Sequence, residues 1–230
     1  MKKVFPFLCV MISLVVAVVW QILSDSVNYY LVSVLILIIS MLPFFFSFER
    51  SKPTAREIAL TSSLIAIAAL SRAVFYLIPQ VKPIGAVVIV SGVCLGAKRG
   101  YLIGAFSAFI SNFVFGQGIW TPFQMAALGM VGFAAGLIFS RMKAKRLTLS
   151  IIGFVLTFAL YGLIADLSSV LMLSADFTLP SILAVYGAAV TFNLVFALTT
   201  GVTLFFLGEP FINKISRLQT KYGIYSEELL

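Results

Sequence analysis

Apolar residues in this chain gather into long runs and do not alternate with polar ones. The runs fall near 5–23, 29–48, 56–78, 83–97, 100–115, 121–140, 148–173 and 180–208, and charged residues are nearly confined to the gaps. Runs close to twenty residues long without a period of two predict helices and not barrel strands. Lipid offers no partner to an exposed backbone amide, so segments this apolar must satisfy their hydrogen bonds internally. Eight candidate helices result. Those at 83–97 and 100–115 are short for a hydrocarbon layer of about 30 Å. They also hold Pro83, Gly85, Gly92, Gly96, Gly100 and Gly104, which predicts tilting, partial re-entrance or unusually close packing.

The expected fold class is therefore an all-α integral membrane protein. Composition agrees: 61% of residues are hydrophobic and 10% charged, and the mean hydropathy is +1.12. The net charge of +8 comes from short basic gaps and not from an extended patch, which argues against nucleic acid and for a topology signal. Lys2 and Lys3; Arg50, Lys52 and Arg56; Lys98 and Arg99; Arg141, Lys143, Lys145 and Arg146; and Lys214, Arg217 and Lys221 all fall on one side. Of the 16 basic residues only Arg72 and Lys82 remain. The positive-inside rule then predicts a multi-pass protein of the cell membrane with both termini cytoplasmic and the 116–121 connection facing outward. The first run resembles a signal peptide, but it is longer than an ordinary apolar region and no small-x-small site precedes Asp25. Retention as a helix is expected.

Composition shifts at residues 49–57, a charged stretch containing Pro53. Residues 1–54 read as a two-helix extension and linker, peripheral to a six-helix core at 55–208 that is rich in Gly, Ala, Ser, Asn and Gln. Residues 209–230 read as a polar cytoplasmic tail, with Ile212, Ile215 and Leu218 spaced for an amphipathic helix lying on the membrane or on a partner.

Catalytic groups are scarce. Histidine is absent, Cys9 and Cys94 sit within apolar runs as inert thiols, and no phosphate loop or paired nucleophile and base is recognisable. The reading is recognition without enzymatic activity, with no intrinsic cofactor and no metal. Arg72 lies about six residues, roughly 9 Å, from the end of its run, and Asp166 lies at a similar depth. A charge in hydrocarbon costs several kcal/mol unless paired or hydrated, so the two either pair or line a wet cavity. Tyr76, Gln80 and Lys82 continue toward the same surface. Asn112, Gln117, Thr121 and Gln124 bring amide and hydroxyl groups to the connection, and Phe115, Trp120 and Phe123 bring stacking surfaces. Unpartnered buried amides cost about 1 to 3 kcal/mol, so these groups bond to one another or to a polar ligand. Interfacial enrichment of tryptophan and a helix start at Thr121-Pro122 account for part of the same pattern. Asn193 and Tyr186 are placed to hydrogen-bond a neighbouring helix or a ligand. Ala55, Ala59, Ser62, Ser63, Ala66, Ala69 and Ala73 form a small-residue stripe that suits close helix packing, within the chain or against a partner.

The stripe, the glycines at 92, 96, 100 and 104 and the polar, aromatic connection together resemble the substrate-binding S components of energy-coupling factor (ECF) vitamin transporters, over roughly residues 55–208. The resemblance implies a membrane subunit that partners a transmembrane coupling subunit and two cytoplasmic ATPases, which hydrolyse the ATP. It implies a docking motif at Ala59, Ser63 and Ala66. The residues themselves nominate a substrate site including Arg72, Tyr76, Asn112, Phe115, Gln117, Trp120, Thr121, Gln124, Asp166 and Tyr186. The signature from Asn112 through Met125 resembles the branch associated with cobalamin and related corrinoids, cobalamin being substrate and not cofactor. A different vitamin or precursor, a stand-alone secondary transporter and a ligand-free assembly protein are the competing expectations.

Overall fold

The computed structural model describes residues 8–13, 15–16, 19, 29–50, 52–173 and 178–224, and these are helical with no strand among them. The helices are α1 (Tyr29–Arg50), α2 (Ala55–Val74), α3 (Ile84–Leu95), α4 (Ala97–Phe115) and α5 (Thr121–Phe139). Next come α6 (Arg146–Val155), a π-helical turn (Leu156–Tyr161) and α7 (Gly162–Leu173). They are followed by α8 (Leu179–Thr203), a second π-helical turn (Leu204–Gly208) and α9 (Glu209–Tyr222). Among the described residues, four helical stretches are long and apolar enough to cross a membrane: Ala55–Val74, Thr121–Phe139, Arg146–Met172 and Leu179–Tyr222. The stretch around Asp25, on which retention of the first helix turns, and residues 225–230 lie outside the described residues.

Basic residues gather at one end of the bundle, as their contacts show. The start of α2 is fixed by a reciprocal cap in which Thr54 Oγ1 accepts from the Glu57 amide and Glu57 Oε2 accepts from the Thr54 amide. Glu57 also holds Arg99 at 2.6 Å, joining the starts of α2 and α4. Arg56 donates to the Tyr222 carbonyl, and the Arg146 amide donates to Glu209. The opposite end carries residues 75–83 and 116–120.

α3 is apolar on every side, and a helix with no polar stripe belongs inside. It has 12 residues, eleven of them buried. At about 1.5 Å per residue it is too short to span the hydrocarbon layer alone. Close packing is what makes room for it. A Cβ on Gly100 would stand 2.5 Å from the Gly132 carbonyl oxygen and 2.7 Å from the Gly92 Cα. A Cβ on Gly136 would stand 2.5 Å from the Ala97 nitrogen. Gly92, Gly100 and Gly104 thus mark backbone contact between α3, α4 and α5, whereas Gly85 faces the side chains of Thr200 and Thr157.

Two expectations change here. The extension before residue 55 contributes to the core: Leu37, Met41 and Phe44 of α1 are buried, and the Phe44 ring stacks on Tyr101 of α4 at 3.6 Å. Leu, Ile and Phe-rich sequence cannot show which faces meet protein and which meet lipid. The amphipathic segment beyond Pro210 packs against the chain itself. It continues α8 as one helix, and Ile215 is buried beside Leu64, Leu95 and Leu149. Gln219 Nε2 donates to the Cys94 carbonyl, so the polar face also finds partners within the chain.

Replacing Gly100 by alanine sets a methyl group against backbone atoms that cannot rotate away. A loss of about 1 to 3 kcal/mol is expected, read as a lower thermal unfolding midpoint in detergent. Gly187→Ala, where a Cβ meets nothing within 4 Å, is the matched control and should leave the midpoint unchanged or raise it.

Candidate functional site

Arg72 enters the last turn of α2 from an otherwise apolar helix, and its charge is met by α4. Its Nη1 donates to Ser111 Oγ at 2.6 Å and to Asn112 Oδ1 at 2.7 Å, and its guanidinium lies 4.3 Å from the centre of the Phe115 ring. With Oδ1 committed to Arg72, the Asn112 amide must point its Nδ2 the other way. It donates there to Gln124 Oε1 at 2.9 Å and Thr121 Oγ1 at 3.2 Å. Thr121 Oγ1 in turn donates to Gln117 Oε1 and accepts from the Gly118 amide, and Gln117 Nε2 donates to the Phe109 carbonyl. The amides of the connection are therefore bonded largely to one another.

Two glycines shape this connection for separate reasons. Gly116 has φ of +97°, a conformation that L side chains rarely adopt, and it ends α4. Gly118 has an ordinary backbone but lies under the Trp120 indole, where a Cβ would meet ring atoms at 2.5 Å.

Beside this frame lies a cavity of roughly 470 Å³, within the range of small-molecule sites. Arg72, Phe115, Trp120 and Gln124 form one side. Tyr161, Asp166 and Asn193 contribute to the other. Asp166 Oδ2 accepts from Asn193 Nδ2 at 2.5 Å. Gly162 leaves space for that asparagine, since a Cβ there would stand 2.8 Å from Asn193 Nδ2. The Tyr161 ring, at the end of the π-helical turn, packs on Phe196 at 4.8 Å. Such turns realign the side chains that follow them and are frequent at functional sites.

Lys82, just before α3, also lines the cavity. It is 9% exposed, with its Nζ 4.0 Å from the centre of the Phe115 ring that Arg72 also approaches. Burial, and then the Arg72 charge, hold its ammonium below the usual lysine pKa. One side of the cavity is thus cationic and aromatic, and the other carries a carboxylate.

Of the residues singled out from sequence, Arg72, Phe115, Trp120, Gln124 and Asp166 line the cavity. Asn112, Gln117 and Thr121 lie behind that lining and hold it in place. Tyr76 stands outside, with its ring 5.1 Å from Phe115. Tyr186 donates to the Leu163 carbonyl, tying α8 to α7. Arg72 and Asp166 share the cavity without an ion pair; among the described residues the ion pair present is Arg99 with Glu57. Ala59, Ser63 and Ala66 are all exposed along α2. Tyr161, Ser168 and Ser169 escaped the sequence reading, although the two serines follow Asp166 within one helical turn. No cluster of metal-ligating residues occurs among the described residues.

A family model described as "ECF transporter, substrate-specific component" matches residues 56–215, well over half of the chain. No curated protein and no solved structure matches significantly.

Asn112 is 1% exposed and serves three partners. Asn112→Ala removes an acceptor from Arg72 and leaves Gln124 and Thr121 short of a donor, so a loss of about 1 to 3 kcal/mol is expected. Thermal unfolding in detergent measures it. Gln117→Ala, at an exposed position, should cost clearly less.

Proposed function

Because the chain belongs to the ECF transporter substrate-specific component family, we propose that it captures a vitamin-type small molecule in the Arg72 and Asp166 cavity for uptake. Members of this family bind substrate and are not enzymes, and they work with a transmembrane coupling subunit and ATPase modules. The observation that carries the reading is the cavity itself. It gathers five of the residues that sequence alone nominated as ligand contacts, with opposite charges on its two sides and aromatic surface between them. In this reading the cavity end faces outward and the basic end faces the cytoplasm, as the distribution of Lys and Arg favours. The exposed Ala59, Ser63 and Ala66 then offer α2 to the coupling subunit, where small side chains permit close approach.

The residues from Asn112 to Met125 support a corrinoid as cargo through their resemblance to that branch. A cavity of 470 Å³ receives a peripheral group of such a macrocycle and not the whole ring, so the corrin would rest at the mouth. A compact vitamin would enter completely.

The chain purified and reconstituted with a coupling subunit and its ATPases should drive ATP-dependent uptake of a vitamin. Absence of both binding and uptake across a vitamin panel would sink the proposal. Trp120→Ala and Arg72→Ala should each weaken binding, by about tenfold or more for Arg72, while co-purification with the coupling subunit persists. Unchanged affinity in both variants would place the site elsewhere.

A further inference from the structure

We infer that Arg72 and Lys82, set together against the Phe115 ring, form a subsite for an anionic oxygen group of the substrate, a carboxylate or a phosphate. This rests on the reading of the cavity as a substrate site. It adds which end of the substrate enters where.

Lys82 is nine-tenths buried, and no hydrogen bond or ion pair satisfies it among the described residues. Its ammonium lies over the face of the Phe115 ring. A cation so placed carries a desolvation cost that an aromatic face offsets only in part. Arg72 tells the same story from the same ring. A guanidinium has five N–H donors. Arg72 directs Nη1 at Ser111 and Asn112, and its Nε and Nη2 donors have no partner among the described residues. Both cations approach the Phe115 ring and line the cavity, while Asp166 lies on the cavity's other side with Asn193. Arg72 and Lys82 repel each other, and an anion that reaches both from the cavity replaces that repulsion with charge-assisted hydrogen bonds.

The placement also gives direction. Asp166 repels an anion and accepts a donor, so the substrate's anionic end is excluded from α7 and drawn to α2 and residue 82. Asn112 is the positioning residue of the subsite, since it holds the guanidinium in place and does not itself reach the cavity.

The two sources of such an anion are a compact acid that enters whole and the phosphate of a corrinoid seated at the mouth. The full chain in lipid nanodiscs is tested by equilibrium dialysis against two matched pairs: 4-aminobenzoate with neutral 4-aminobenzamide, and cobinamide phosphate with cobinamide, which differs by the phosphate alone. The expected result is a preference of about tenfold or more for the anionic member of at least one pair. Lys82→Gln should abolish it and Lys82→Arg should retain it, with unfolding midpoints reporting that both variants are folded. A preference in the first pair assigns a carboxylate, and one in the second a phosphate. No preference in either pair, or a preference that survives Lys82→Gln, overturns the inference. Failure of the transporter reading registers separately, as absence of ATP-dependent uptake with the coupling subunit and ATPases whatever the dialysis shows.

Discussion

A positive charge within an apolar helix is the constraint from which this structure can be built. Arg72 cannot be left to hydrocarbon, so α2 must lie where another helix offers acceptors. α4 offers Ser111 and Asn112, one helical residue apart, together with the ring of Phe115 one turn on. Fixing the Asn112 carbonyl on Arg72 fixes its amino group on Gln124 and Thr121, and through Thr121 it fixes Gln117 and the chain at Gly118. A single charge thereby orders a connection that contains no charge. Breaking the chain of bonds at its centre leaves several groups unsatisfied at once, which is why such networks cost more to interrupt than a surface contact of the same kind.

This chain of bonds requires α4 and α5 to lie close along their length, and the glycines supply that closeness. Gly92, Gly100, Gly132 and Gly136 let three backbones meet where side chains would hold them apart. The short α3 is enclosed as a result. The chain enters α3 at Lys82 and Pro83, and the lysine lines the cavity. On the other side, Tyr161 ends the π-helical turn before Gly162 and lines the same space with Asp166.

Much of this was legible in the sequence. Apolar runs gave the helices from α2 onward, and of the three readings the glycines left open, tilting, re-entrance or close packing, the structure shows close packing. The polar residues at 112–124 were read as a group bonded to one another or to a ligand, because buried amides must bond to something, and they bond largely to one another. The limit was pairwise geometry. Composition cannot say that Asn112 spends its amide on Arg72 and not on a ligand, or that Arg72 and Asp166 face one cavity without touching. Lys82 was visible as one of two basic residues away from the basic end, yet its burial depends on where the short α3 begins. The role of α1 was hidden for a related reason: lipid and protein interior are equally apolar, so hydrophobicity does not distinguish the face of Phe44 that meets Tyr101. Even in place, that contact leaves the Tyr101 hydroxyl buried without a partner among the described residues.

The division of labour between frame and lining bears on selectivity. Residues of the frame are mutually satisfied and gain nothing from a ligand, so they contribute rigidity and little discrimination. Lining groups such as Lys82 are incompletely satisfied, and a molecule lacking the complementary group leaves them so. A site of that kind rejects close analogues far more strongly than an apolar pocket of equal volume, because the rejected analogue forgoes its own bond and strands a buried group of the protein as well. The aromatic rings add affinity that is nearly indifferent to the substrate's polar pattern. Under the proposed function, selectivity therefore resides in the two charged sides of the cavity, and the rings between them set how large and how flat the molecule can be.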